Sequence, residues 1–233
     1  MRRRTSLVTA VAATALLAAG CGLTDNAVQP GLAAKVDGES LSLRKVDRAV
    51  QDYCALRAAN PQATAAPTAL VRAQFVTGWT QAVAVDHLAP EHGVALPPEP
   101  IDKASVKAAW GELGTIDDDN YDSFEWLTWI QQRLTSPVEQ LGAPATGDQA
   151  VQNGIDLITG WLDDHHVELN PVFGDFDAKT AVFGADPLSI PVSAEAKAAQ
   201  ETTRLTPDQI AKLPADQRCG PAVVQAPQGV PQG

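Results

Sequence analysis

The chain has 233 residues, enough for one fair-sized domain or two small ones, and its apolar share of 45% is ordinary for a globular protein, which argues against disorder throughout. Its formal net charge is −11, and removal of Arg2, Arg3 and Arg4 with a leader would make the mature chain three units more acidic, a balance that argues against nucleic acid and against an electrostatic grip on anionic lipid. Aromatic residues make up only 5%, and five of them are Trp, so these rings must anchor much of any core or groove.

Residues 1–20 read as a signal peptide: Arg2-Arg3-Arg4 is a basic start, Leu7 to Leu17 is an apolar run too short for a comfortable membrane span, and small residues lead up to Cys21. Leu17-Ala18-Ala19-Gly20-Cys21 resembles the lipobox of bacterial lipoproteins, with Ala18 where Leu or Val is commoner. That resemblance implies a mature protein that begins at Cys21, carries lipid there and is held at the extracytoplasmic face of the cell membrane. An ordinary cleaved signal followed by an unrelated Cys is the alternative. Residues 21–31 are polar, contain Pro30 and read as a tether. With Cys21 set aside, Cys54 and Cys219 remain as an even pair in an exported chain, which predicts a disulfide; two buried free thiols are the alternative.

The domain proper is expected over residues 32–220, with a disordered tail over 221–233 rich in Pro and Gly. Asp37-Gly38 suits a type I′ turn, so Ala33–Val36 and Glu39–Leu41 form a hairpin. Ser42 caps a helix whose apolar stripe is Leu43, Val46, Val50, Tyr53 and Leu56. A second helix runs over Thr68–Leu88 and is ended by the four prolines of Pro90–Pro100. A short third helix carries Ile101, Val106, Ala109 and Trp110. Asp117-Asp118-Asp119-Asn120 lacks the ligand alternation, central Gly and terminal Glu of a calcium loop and reads as a solvated helix start. Phe124, Leu127, Ile130, Leu134 and Leu141 make the next stripe, with Trp126 and Trp129 beside it and Pro137 bending or ending it. Thr146-Gly147-Asp148-Gln149 has the form of a capping box, opening a helix with Val151, Ile155, Ile158 and Leu162 on one face. Consecutive Asp163-Asp164-His165-His166 cannot all turn to one ion, and no metal or other cofactor is expected. Beyond His166, short strands over Val167–Leu169, Val172–Phe176 and Ala181–Phe183 precede two weak helices, Glu195–Arg204 and Thr206–Leu213.

Ala34, Val36, Gly38, Ser42, Leu43, Val46 and Asp47 together resemble the start of the chaperone domain of SurA- and PrsA-type extracytoplasmic foldases. Val167-Glu168-Leu169-Asn170-Pro171-Val172-Phe173-Gly174, with Phe176-Asp177 and Leu188-Ser189-Ile190-Pro191, is similar to a segment of SurA-like lipoproteins from high-GC Gram-positive bacteria, in which Arg usually stands where this chain has Val172. The resemblance implies a mainly α, SurA/trigger-factor-like helical chaperone domain with a small N-terminal β-hairpin and a short C-terminal strand segment that pairs back near the hairpin. It also implies a holdase for unfolded or extended polypeptides. No segment resembles the parvulin module of full-length members, and no G-x-S-x-G, H-E-x-x-H, C-x-x-C or phosphate loop is present, so neither isomerase activity nor any catalytic residue is expected. The expected client surface is an apolar cradle between helices, with Trp126 and Trp129 as its candidates. A dedicated partner of one envelope complex, or an unrecognised isomerase, are the rival readings.

Overall fold

The computed structural model describes residues 30–173, 176, 177, 179, 182, 183 and 205–222; the expected signal peptide, Cys21, nearly all of the expected tether, the helix expected over Glu195–Arg204 and most of the expected tail lie outside them. Asp37 and Gly38 take φ values of 46° and 83°, the two positive angles that a tight turn of this hand requires, so β1 (Leu32–Val36) and β2 (Glu39–Ser42) pair antiparallel with Val36 opposite Glu39. Ser42 ends β2 and starts α1 (Leu43–Ala59): its side chain accepts a hydrogen bond from the Lys45 N–H at 3.2 Å, satisfying one of the helix's free donors. Val46, Ala49 and Val50 bury the inner face of α1.

α2 (Thr68–Glu91) is the central helix, packed against α1, α4 (Tyr121–Arg133), α5 (Ser136–Leu141) and α6 (Asp148–Asp164). Its buried residues, among them Val71, Val76, Trp79, Val83 and Leu88, surround most of its girth. The helix runs three residues past the expected stop at Leu88, with Pro90 inside its last turn; Pro90 has no N–H to offer the Asp86 carbonyl, and the chain departs soon after, at His92 and at Gly93, whose φ is 68°. α3 (Lys103–Trp110) is capped by Asp102, whose carboxylate accepts from the Ser105 N–H at 2.9 Å. The Asp117–Asn120 run is a turn leading into α4: Asp117 Oδ1 accepts from the N–H groups of Asp119 and Asn120, at 3.0 and 3.2 Å. Pro137 marks the break between α4 and α5, standing in the first turn of the latter.

Two expectations for α6 fail. No capping box forms, because the helix begins at Asp148 with Gly147 as its N-cap at φ 59°, and no side chain caps it. The inner face is Ala150, Gly154, Ile158 and Leu162, whereas Val151 and Ile155 remain 39% and 41% exposed. The shift has a backbone cause. Gly154 lies against the Val138 carbonyl of α5, and Ala150 lies against Gly142 just beyond it, so small residues define the seam and the larger ones are rotated outward.

After α6 the chain returns to the hairpin. β4 (Glu168–Leu169) adds to the free edge of β1, giving the order β2-β1-β4, and Asn170 extends the contact by donating its N–H to the Ala33 carbonyl at 2.9 Å and its side-chain amide to the Leu32 carbonyl at 2.7 Å. Pro171–Phe173 forms a 3-10 turn where the expected second strand begins, burying Phe173 and turning Val172 out to 60% exposure. β5 (Phe176–Asp177) and β6 (Val182–Phe183) pair with each other. Further on, α7 (Pro207–Ala211) opens with a capping box of Thr206 and Gln209, and β7 (Arg218–Cys219) pairs with β3 (Ala66–Pro67). Cys54 and Cys219 are joined by a disulfide, which ties the C-terminal strand to α1. The protein is therefore mainly helical, with a small N-terminal hairpin and C-terminal strands, as the sequence predicts.

Candidate functional site

The C-terminal half of α2 presents Trp79, Val83, Asp86 and His87 on one face, spaced by three, four or one residues as a helical stripe requires. Opposite stands α4 with Asp122, Ser123, Glu125, Trp126 and Trp129. Lys45 and Arg48 of the first turns of α1, Glu39 of the hairpin, and Glu99, Pro100 and Ile101 of the connection after α2 complete the wall. Together they enclose a partly open cavity of about 730 Å³, a size at which a ligand or a peptide segment of several side chains fits.

Trp126 and Trp129, the two candidates read from sequence, both line this cavity, and Trp79 joins them. Trp126 is 6% exposed and meets Phe75 edge-on at a centroid distance of 6.3 Å, so it belongs to the core as well as to the wall. Trp129 is half-buried; its indole N–H donates to Glu99 Oε1 at 2.8 Å, and the Arg133 guanidinium lies 4.9 Å from its ring centroid. The remaining two rings lie elsewhere. Trp110 packs on Tyr53 and Phe124 and donates its N–H to Thr128 Oγ1 at 2.9 Å, a core role. Trp161 is stacked between His87 and His165, at 4.9 and 3.9 Å. His165 also holds the Trp161 carbonyl through Nδ1 at 2.7 Å, so this pair of histidine rings is occupied in packing.

The wall is not the apolar cradle expected from sequence. Five carboxylates, of Glu39, Asp86, Glu99, Asp122 and Glu125, stand among the lining residues beside the two cations Lys45 and Arg48. Arg133, its side chain 3% exposed, lies behind them and binds Asp86 Oδ1 through Nε at 3.0 Å and Glu99 through Nη2. Burial pushes the Asp86 carboxyl above its usual range, and the hydrogen bond and charge of Arg133 only partly offset this. Arg48 is committed to Asp52 at 3.0 Å and to the Asp119 carbonyl at 2.7 Å. Ser123 donates its hydroxyl to the same Asp52 at 2.5 Å. Lys45 reaches across to Trp126, its ammonium 5.2 Å from the ring centroid. Lys45 is exposed over the residue as a whole, yet partial burial lowers its pKa, with Glu125 and then Asp122 acting in the opposite sense.

No family model, no curated protein and no solved structure matches this chain. What the site can do therefore rests on its own chemistry. Among the described residues, no group of three or more His, Cys, Asp or Glu side chains is arranged to hold a metal ion. The lining hydroxyl of Ser123 is engaged with a carboxylate, an arrangement that orients the α1–α4 wall. Aromatic faces, carboxylates and one loosely held ammonium make a surface for non-covalent recognition. Sequence reasoning missed Asp86 and Glu99, which come from α2 and from the connection after it and which no periodicity links.

Proposed function

We propose that the protein is a lipid-anchored extracytoplasmic lipoprotein that holds unfolded or extended polypeptides in the cavity between α1, α2 and α4, without catalysis and without a cofactor. The observation that carries this reading is the partly open cavity of about 730 Å³ with three tryptophans in its wall. Trp79 and Trp126 are each only 6% exposed and Trp129 is half-buried, so the rings form the floor and wall of a concave site, the setting in which aromatic side chains serve ligand binding. Supporting it are the sequence resemblance to SurA- and PrsA-type chaperone domains and the return of β4 to the hairpin edge, the topology that this resemblance implies.

The test is whether the purified protein, without ATP, slows aggregation of several unrelated unfolding proteins at near-stoichiometric ratio. Trp129→Ala should weaken this holding several-fold while leaving most of the stability, because Trp129 is half-buried and its main partners are Glu99 and Arg133 at the cavity wall. Trp126→Ala, by contrast, should cost about 3 kcal/mol or more of stability, since that ring is also core. If the protein leaves all clients untouched and instead recovers one stoichiometric envelope partner, the dedicated-partner reading replaces this one.

Anchoring is tested separately. Cys21→Ala should shift the protein from the membrane fraction to the soluble fraction, or leave it unprocessed, in a cell fractionation followed by mass measurement of the N-terminus. Unchanged processing and membrane partition would reject the lipid anchor.

A further inference from the structure

The charge of the cavity is unevenly matched around its rings. Arg133 takes up Asp86 and Glu99 from behind, and Arg48 is spent on Asp52 and a backbone carbonyl. What is left on the inside is Glu39, Asp122 and Glu125 beside a single ammonium, that of Lys45. Both tryptophans of α4 that line the cavity already carry a cation, Lys45 over Trp126 at 5.2 Å and Arg133 by Trp129 at 4.9 Å. The rings are thus oriented as cation acceptors.

Arg133 lies behind the wall and is fixed on Asp86, Glu99 and Trp129, so its charge is spent on the wall and does not neutralise the remaining carboxylates.

We propose that the cavity selects a lysine or arginine side chain carried on an extended polypeptide, the cation settling against Trp126, Glu125 and Asp122 in place of Lys45. This rests on the holding function proposed above and specifies its client class. Lys45 acts as a built-in competitor: it sits on a flexible stem at the start of α1 and swings to solvent when the client cation enters. Purely apolar segments find the aromatic walls but leave the carboxylates desolvated without a partner, which disfavours them.

The experiment is a Trp-fluorescence titration of the purified protein with two unstructured peptides of equal length, identical except that one bears four Lys and the other four Met at the same positions. The Lys peptide should bind about tenfold more tightly at low salt, the factor expected from one partly desolvated cation–aromatic contact with its carboxylates, and should lose that advantage in high salt. Asp122→Asn with Glu125→Gln should remove the advantage and leave the Met peptide within about twofold; Lys45→Met should tighten the Lys peptide several-fold. Melting temperatures of the variants within a few degrees of the parent's establish that they fold. Equal or tighter binding of the Met peptide, with neither variant separating the two, overturns cation selection while the holding function stands. If neither peptide binds and client aggregation is unaffected, the holding function itself fails.

Discussion

Removing the disulfide is expected to be among the most damaging changes that leave the cavity untouched. Cys54→Ala with Cys219→Ala should lower stability by about 3–5 kcal/mol, and the melting temperature by about 10 °C, in thermal or urea unfolding. The sequence separation of 165 residues is what makes the effect large, because a cross-link constrains the unfolded chain in proportion to the logarithm of the loop it closes. The local structure offers little compensation. β7 is two residues long and is held in its sheet only by the equally short β3, while Cys219 is fully buried against the core. α7 and its capping box are exposed apart from a few half-covered positions, so among the described residues the stretch 205–222 is held down chiefly by the bridge, the β3–β7 pair and the packing of residues 215–219 on α1 and α2. Hydrogen exchange should therefore show this segment losing protection first in the bridgeless variant, ahead of α2 and α4. If adding reductant to the parent protein leaves its unfolding midpoint unchanged, the bridge does not carry this load.

What was legible in the sequence follows from how local the physical signal was. The hairpin could be read because Asp37-Gly38 is a turn signal complete in two residues, and α1 because Ser42 and the Val46-Val50 spacing lie within a few turns. The disulfide followed from parity and compartment, neither of which needs coordinates. Trp126 and Trp129 could be placed at a groove because a ring beside a helical apolar stripe lies at its margin. The charge of the groove could not be read. Glu39, Asp86, Glu99 and Glu125 come from four separate segments, and no periodicity links a hairpin, two helices and a connection. The inner face of α6 was misassigned for a related reason. Hydrophobic periodicity weighs Val151 and Ile155 heavily and gives Gly154 nothing, whereas in a close helix seam the absence of a side chain decides which face turns inward.

That seam yields a sharper expectation, because one helix contains two glycines in opposite circumstances. Gly154→Ala should destabilise the protein by about 2–4 kcal/mol, measured by urea unfolding. A methyl there would overlap the Val138 carbonyl oxygen of α5, and a backbone atom cannot swing aside as a side-chain tip can. The gain in helix propensity, up to about 1 kcal/mol, is too small to offset a forced separation of α5 from α6. Gly160→Ala in the same helix should act with the opposite sign. No atom lies within 4 Å of a methyl built there, and the position is exposed, so only the propensity gain of about 0.5–1 kcal/mol remains. Gly142→Ala tests the other side of the seam, where the added methyl meets the Ala150 carbonyl, and should match Gly154→Ala in sign. Because α5 and α6 both pack on α2, whose C-terminal half forms part of the cavity wall, loosening the seam should also weaken client holding, though only in proportion to the unfolded fraction. Should Gly154→Ala and Gly160→Ala stabilise the protein alike, the close approach of α5 and α6 would be refuted, and with it the backbone cause of the outward turn of Val151 and Ile155.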